Sequence, residues 1–232
     1  MAVNLWVLDR LPLATIIEMI NESYYWKKEL YDSYLIIYNF RYLKRKHPNS
    51  YVKVEKALMI GAYIIRKLNE ASKIPPEFLN RKIALELFKS HNTIVDVMNS
   101  HHIDRHYDLK SILKEEKDWR FVINQLVHSF ITINFYDEKD HFDGVLINSD
   151  KSKKKSLYYL RLELIFTIFL TVSEGDITKV HSCRDVIGKN KKNKPIYGEM
   201  KLKEAKYTYP DGFNINQIVS ELLIGKVYKR IQ

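Results

Sequence analysis

The 232 residues are 46% hydrophobic and 12% aromatic, enough for a packed core, which excludes a disordered chain. Seven glycines and six prolines are too few for a collagenous, low-complexity or turn-dense all-β protein, and the single cysteine, Cys183, excludes an internal disulfide and a zinc site of the CxxC kind. The formal net charge of +10 suits phosphate backbones, acidic proteins or anionic lipid surfaces, although plentiful lysine, isoleucine, asparagine and tyrosine is also what AT-rich coding produces.

The N-terminal stretch through Lys28 lacks the pattern of a secretory signal, because Asp9, Arg10 and Glu18 interrupt its apolar run. After Pro12, apolar residues recur at helical spacing, as at Leu30, Tyr34, Ile37 and Phe40, and predict one short and one long helix. HPNS, residues 47–50, reads as a turn in which Asn49 or Ser50 caps a helix running through Val54, Leu58, Ala62 and Ile65 to about Ala71. Ile74-Pro75-Pro76 breaks the chain, since each proline removes a backbone donor. RKIALELFKS fits strand and helix equally well.

The polar tract NSHHIDRHYD reads as a loop, and SILKEEKDWRFVINQLVHSF as a helix ending near His128 or Ser129. ITINFYDE and FDGVLINSD then form a predicted hairpin, with Asp143-Gly144 supplying a bend or bulge, and SLYYLRLE a third strand. LELIFTIFLTVSEGD reads as a buried helix ending near Gly175. Its strongest apolar run is about half of the roughly 20 residues a membrane span needs, so no membrane is expected as a partner. KVHSCRDVIG and KPIYGEMKL predict a basic hairpin around KNKKN, and INQIVSELLIGKVYKRI a final helix with Lys226, Lys229 and Arg230 at its negative end.

The expected fold is mainly α with a small antiparallel β insertion (α+β). It divides into a helical region over 1–129, a hairpin and strand insertion over 130–161, and a helix, basic hairpin and C-terminal helix over 162–232, together one cooperative domain. With one cysteine, a reducing compartment fits best, and the expectation is a cytoplasmic protein.

On the predicted helix, Arg120, Asn124 and His128 follow at four-residue steps and make one slanted polar stripe. Trp119, Phe121, Val122, Leu126 and Val127 surround it. A histidine in such a setting is suited to acid-base work, and a neighbouring amide can orient its ring or a phosphate. The residues INQLVHS resemble the core of the HEPN motif, in which arginine and a polar residue precede a histidine on one late helix. Asn124 matches the polar position and His128 the histidine, while Ile123 stands where the family has arginine and Arg120 is the nearest one upstream. The resemblance implies a helical bundle that dimerises, and a metal-independent ribonuclease of a toxin or antiviral system, with no cofactor. His128, Asn124 and Arg120 would be its catalytic residues. On the bland reading, Asn124 and His128 cross-link the helix end to the hairpin through buried hydrogen bonds.

Within HHIDRH, His102 and His106 would share a helical face, yet Ile103 occupies the place of a zinc protease's glutamate and no third ligand is evident, so no metal is expected. Lys151, Lys153, Lys154 and Lys155, and Lys189, Lys191, Lys192 and Lys194, are candidate phosphate contacts, with Tyr158, Tyr159 and Tyr197 nearby for stacking. Their ordinary role is to keep turns soluble. Glycine-rich phosphate loops, serine nucleophile elbows and dinucleotide fingerprints are absent from the sequence, and Cys183 near His181 has no orienting third group. The functional expectation is binding, and cleavage, of RNA or another nucleic acid. The alternative is a non-catalytic interaction subunit whose basic surface docks an acidic protein.

Overall fold

The computed structural model describes residues 22–75 and 77–230. The expected short N-terminal helix lies outside them, as does Pro76. Among the described residues, six helices accompany seven strands in two antiparallel sheets, so the fold is α+β with a large share of strand and not a mainly helical protein with a β insertion.

Helices α1 (Ser23–Arg41) and α2 (Pro48–Glu70) pack on each other and on α5 (Leu162–Glu174). The spacing of Leu30, Tyr34, Ile37 and Phe40 does put all four in the core, with Val54, Leu58, Ala62 and Ile65 opposite. Pro48 itself opens α2 at its first turn, where a missing N–H costs nothing, and His47 precedes it without a side-chain cap, so Asn49 and Ser50 lie inside the helix. Gly61 of α2 lies under Phe169 of α5, and a Cβ there would collide with the buried ring.

Strands β1 (Lys82–Lys89), β2 (Leu113–Asp118), β3 (Ser129–Tyr136), β4 (Phe142–Ser149) and β5 (Ser156–Arg161) form one sheet in the order β2-β1-β5-β4-β3. The ambiguous RKIALELFKS resolves as β1. Of the stretch SILKEEKD, expected to be helical, Leu113–Asp118 is β2, paired from Leu87↔Leu113 to Lys82↔Asp118. Lysine and glutamate favour helix, but the open edge of β1 offers a full ladder and a charged strand can lie there facing water. The helix that follows is therefore short: α4, Trp119–Val127, capped by Asp118, whose side chain accepts from the Phe121 amide at 2.8 Å.

Both faces of the sheet are covered. Leu85, Leu87, Val145, Ile147, Tyr158 and Leu160 join the helical core, while the alternate residues Phe88, Leu146, Leu157 and Tyr159 pack under the connection between β1 and β2 through Val95 and Tyr107. That connection contains a four-residue helix, α3 (Ile103–His106), within the expected loop. The β3–β4 hairpin and the third strand stand where the sequence puts them. Gly144 sits beside the register shift in β4 with φ 137°, where a Cβ would strike the Leu160 carbonyl.

Strands β6 (Asp176–Lys189) and β7 (Pro195–Thr208) make a separate two-stranded ribbon, longer than the hairpin read from the sequence. Its root is tied to the body by charge. The buried Lys27 ammonium donates to the Gly175 carbonyl and pairs with Asp176, and Arg230 faces the buried Glu174 at 3.5 Å while donating to the Ser173 carbonyl. The last helix, α6, spans only Ile215–Leu223. Gly225, with φ 92°, lets the chain turn back, and α1 tyrosines together with Tyr42 take carbonyls from the last turn of α6 onward: Tyr42 donates to Leu222 O at 2.7 Å, Tyr38 to Gly225 O at 2.9 Å and Tyr31 to Tyr228 O at 3.0 Å. Lys226, Lys229 and Arg230 thus lie beyond the helix rather than in its final turns, and of the three Lys226 still reaches back, its amide donating to the Glu221 carbonyl at 3.0 Å and its ammonium facing the Glu221 carboxylate at 3.7 Å. Among the described residues no helix is long and apolar enough to cross a membrane.

Gly61→Val, which drives a branched side chain into the Phe169 ring, is expected to lower unfolding stability by about 1–3 kcal/mol in urea titrations. Burial pushes the Glu174 carboxyl above its usual value of 4.5, against the pull of Arg230. Because the folded-state value is the higher one, its contribution is fully present below about pH 4.5 and is lost as pH rises through the folded value. The melting temperature of Glu174→Gln should therefore gain on that of the wild type as pH climbs from about 4.5 to about 7.5.

Candidate nucleic-acid interface

The helical wheel that turns Trp119, Val122, Ile123 and Leu126 into the core turns Arg120, Asn124 and His128 outward, and all three are exposed. Asn124 and His128 therefore do not cross-link the helix to the hairpin through buried hydrogen bonds. Arg120 reaches back to the Asn80 side chain at 3.4 Å. His128, at the C-cap of α4, meets Arg66 of α2, whose guanidinium lies 3.3 Å from Nε2. Arginine can only donate, so Nε2 accepts in this arrangement. Glu70 holds Arg66 in turn, at 2.9 Å. Arg120 and His128 are eight residues apart, about 12 Å along a helix, so the arginine next to the histidine is Arg66 and not Arg120.

The polar residue of INQLVHS that is buried is Gln125. Its Oε1 accepts from the Ser149 amide and from the Ser152 hydroxyl, both at 2.8 Å. These bonds hold the turn between β4 and β5 from the helical side of the sheet. From the opposite side, the Tyr107 hydroxyl donates to the Lys153 carbonyl at 2.7 Å and accepts from Asn148 Nδ2 at 2.7 Å. The lysine turn, residues 150–155, is thus a rigid feature gripped from both faces.

Its lysines differ in role. Lys153 lies over the Phe130 ring, 3.7 Å from the centroid, and pairs with Asp150 at 2.7 Å. Lys151, Lys154 and Lys155 are exposed. Lys154 and Lys155 line a cleft of about 560 Å³ with Lys89, Lys114, Ser90, Asn92 and Ser156. Lys114 faces Glu86 at 3.6 Å, and the cleft's one carboxylate, Glu115, is taken by Lys117 at 2.6 Å. Among the described residues, Lys89, Lys154 and Lys155 have no carboxylate partner, so the cleft carries surplus positive charge above hydroxyl and amide groups that can bond an anion.

Lys189, Lys191, Lys192 and Lys194 stand at the tip of the ribbon, exposed, where Asn190 Oδ1 accepts from the Lys192 and Lys194 amides and Asn193 takes the left-handed conformation that closes the turn. Among the described residues, no hydrogen bond or ion pair joins them to the α4 stripe or to the cleft. Tyr197 is exposed on the ribbon, whereas Tyr158 and Tyr159 are buried in the sheet and have no free face for a base. Tyr159 donates to Asp143, and burial and that carboxylate push its hydroxyl pKa well up.

In the histidine tract, both ring nitrogens of His106 are used inside the loop: Nε2 donates to the Asn99 carbonyl at 3.1 Å, so Nδ1 accepts from the Thr93 hydroxyl at 2.6 Å. Among the described residues no group of three or more His, Cys, Asp or Glu is placed to hold a metal ion. Cys183 is a half-buried free thiol in β6.

The chain matches no family model, no curated protein and no solved structure. The HEPN resemblance is overturned on both grounds: the family is not matched, and two antiparallel sheets replace the helical bundle. The dimer, which rested on that resemblance alone, loses its support.

Sequence reasoning missed Arg66, Lys89, Lys114, Gln125 and Tyr107. A signal existed only for Gln125, the polar residue of α4 on the flank of the apolar stripe rather than opposite it. Gln125→Leu removes the shorter of two acceptors from each donor, leaving the Ser149 amide its 3.0 Å bond to Ser152 Oγ and the Ser152 hydroxyl its 3.3 Å bond to the Ser149 carbonyl, and is expected to cost about 1 kcal/mol for each bond lost. Amide exchange at residues 149–156 should speed up in this variant while exchange in α1 and α2 follows only the global loss.

Proposed function

We propose that this chain is a nucleic-acid-binding protein that grips phosphate backbone at the cleft between β1, β2 and the lysine turn. The observation that carries the reading is the gathering of Lys89, Lys114, Lys154 and Lys155 around one cleft from three separate parts of the chain. A fixed turn supports phosphate binding because the ammonium groups are positioned before the ligand arrives, which lowers the ordering cost of binding.

The test is fluorescence anisotropy with labelled single-stranded RNA and duplex DNA over a series of salt concentrations. Lys154→Glu combined with Lys155→Glu should weaken binding at least tenfold. It should also flatten the salt dependence on B-form DNA by roughly 0.9 for each phosphate that is no longer neutralised, since every neutralised phosphate releases counterions. Wild-type affinity that ignores salt, or a double variant that binds as well as the wild type, would overturn the reading.

A second reading, cleavage of the RNA backbone, has one observation in its favour: the exposed His128 ring held against Arg66. A histidine can take the proton of a 2′-hydroxyl and a guanidinium can neutralise charge developing on the phosphate, without a metal. In this reading Nε2 must first be released by Arg66. If it holds, purified protein degrades single-stranded RNA in the presence of a chelator, and His128→Ala and Arg66→Ala each abolish the products while RNA binding persists. Equal RNA integrity with wild type and His128→Ala would leave binding alone.

A further inference from the structure

The ribbon carries half of the chain's excess charge. Residues 176–208 contain nine Lys or Arg against four Asp or Glu, a net +5 of the total +10, in about one seventh of the sequence. Two strands of fourteen residues reach roughly 45 Å at about 3.3 Å per residue, and neither strand joins the larger sheet. Beyond the root, among the described residues, each strand of the ribbon is bonded only to the other. Its distal part exposes Val186, Ile187, Tyr197 and Met200 by more than half each, with Val186 and Tyr197 directly paired across the strands. Such apolar exposure on a two-stranded ribbon with bare edges is costly in water and invites a partner.

Charge selects the partner. A second copy would bring +5 against +5, and an apolar protein surface would have to desolvate the lysines at residues 189–194. A polyanion with apolar groups in its recess meets both demands. The major groove of B-form DNA, about 12 Å wide, admits a two-stranded ribbon, has phosphates along its walls for lysines, and presents thymine methyl groups to aliphatic side chains. The major groove of A-form RNA is too narrow and deep for side chains to read. The root supports an arm rather than a loose tail, because the buried Lys27 and the Glu174–Arg230 pair fix the point where the ribbon leaves the body.

We propose that the β6–β7 ribbon is an arm that enters the major groove of B-form duplex DNA, with Lys189, Lys191, Lys192 and Lys194 on the phosphates and Val186, Ile187, Tyr197 and Met200 against the base edges. The proposal rests on the nucleic-acid-binding reading and deepens it by naming the substrate as duplex DNA.

The experiment compares the full chain with two variants, one with all four tip lysines changed to Gln and one carrying Val186→Ser with Tyr197→Ser, each checked for wild-type circular dichroism. The probes are a DNA duplex of about 20 base pairs, two turns of B-form helix, the RNA duplex of the same sequence, and single-stranded RNA. The wild type should bind the DNA duplex at least tenfold tighter than the RNA duplex. The lysine variant should lose at least tenfold on DNA and flatten its salt slope by about 3 to 4. The Ser variant should lose preference for A·T-rich over G·C-rich DNA while keeping its salt slope, and protection of guanine N7 from methylation should vanish in both variants. Equal affinity for the two duplexes, or full DNA affinity in the lysine variant, would overturn the arm. A dimer in light scattering that the Ser variant dissolves would also overturn it by placing a second copy on the ribbon. Binding that fails only with Lys154→Glu/Lys155→Glu leaves the cleft standing and removes the arm, binding that fails only with the ribbon variants does the reverse, and no binding to any probe removes both.

Discussion

Burial of the central strands on both faces is the constraint that organises this protein. Once the apolar residues of β4 and β5 alternate between two cores, both faces of those strands are committed, and the helices and the β1–β2 connection must each cover one side. The polar groups near the end of β4 then lie between two layers and need partners from both. Gln125 comes from the helical layer and Tyr107 from the other. The rigid lysine turn is the by-product of that satisfaction, and the cleft beside it inherits its geometry.

The legible parts of the fold were those with a strong period or strong punctuation. The α1 and α2 core positions, the β3–β4 hairpin, β5, the buried α5 and the basic hairpin could all be read because apolar spacing and turn residues agree there. β2 was not readable. Leu113 to Asp118 carries lysine and glutamate because it is an edge strand, and in isolation those residues favour a helix that merges with α4. That one misreading turned a nine-residue helix into an apparent helix of about twice the length, which in turn lent the stretch around Asn124 and His128 the setting of a helical bundle. The end of α6 was lost for a related reason: three tyrosines from the first helix and its C-cap, far earlier in the chain, receive the carbonyls from Leu222 onward, and no local pattern can show that.

The interface was only partly legible. Lysine runs are visible as runs, but whether each ammonium is free depends on neighbours remote in sequence. Lys153 is consumed by Phe130 and Asp150, while Lys89 and Lys114, isolated in the sequence, become part of the same cleft as Lys154 and Lys155. Arg66, brought to His128 from 62 positions away, illustrates the same point. The histidine stripe on α4 was readable as a stripe, and its outward direction follows from the apolar residues that share the helix.

The ribbon's root draws on residues 27, 174, 176 and 230, almost the full span of the described chain. A hairpin closes locally on the microsecond scale, whereas contacts between distant segments wait for the loops between them to be ordered. The two strands can therefore zip early, but their aim cannot be fixed until the first helix and the chain's last described residues have both docked. The direction of the ribbon is thus a property of the whole fold and not of the hairpin itself.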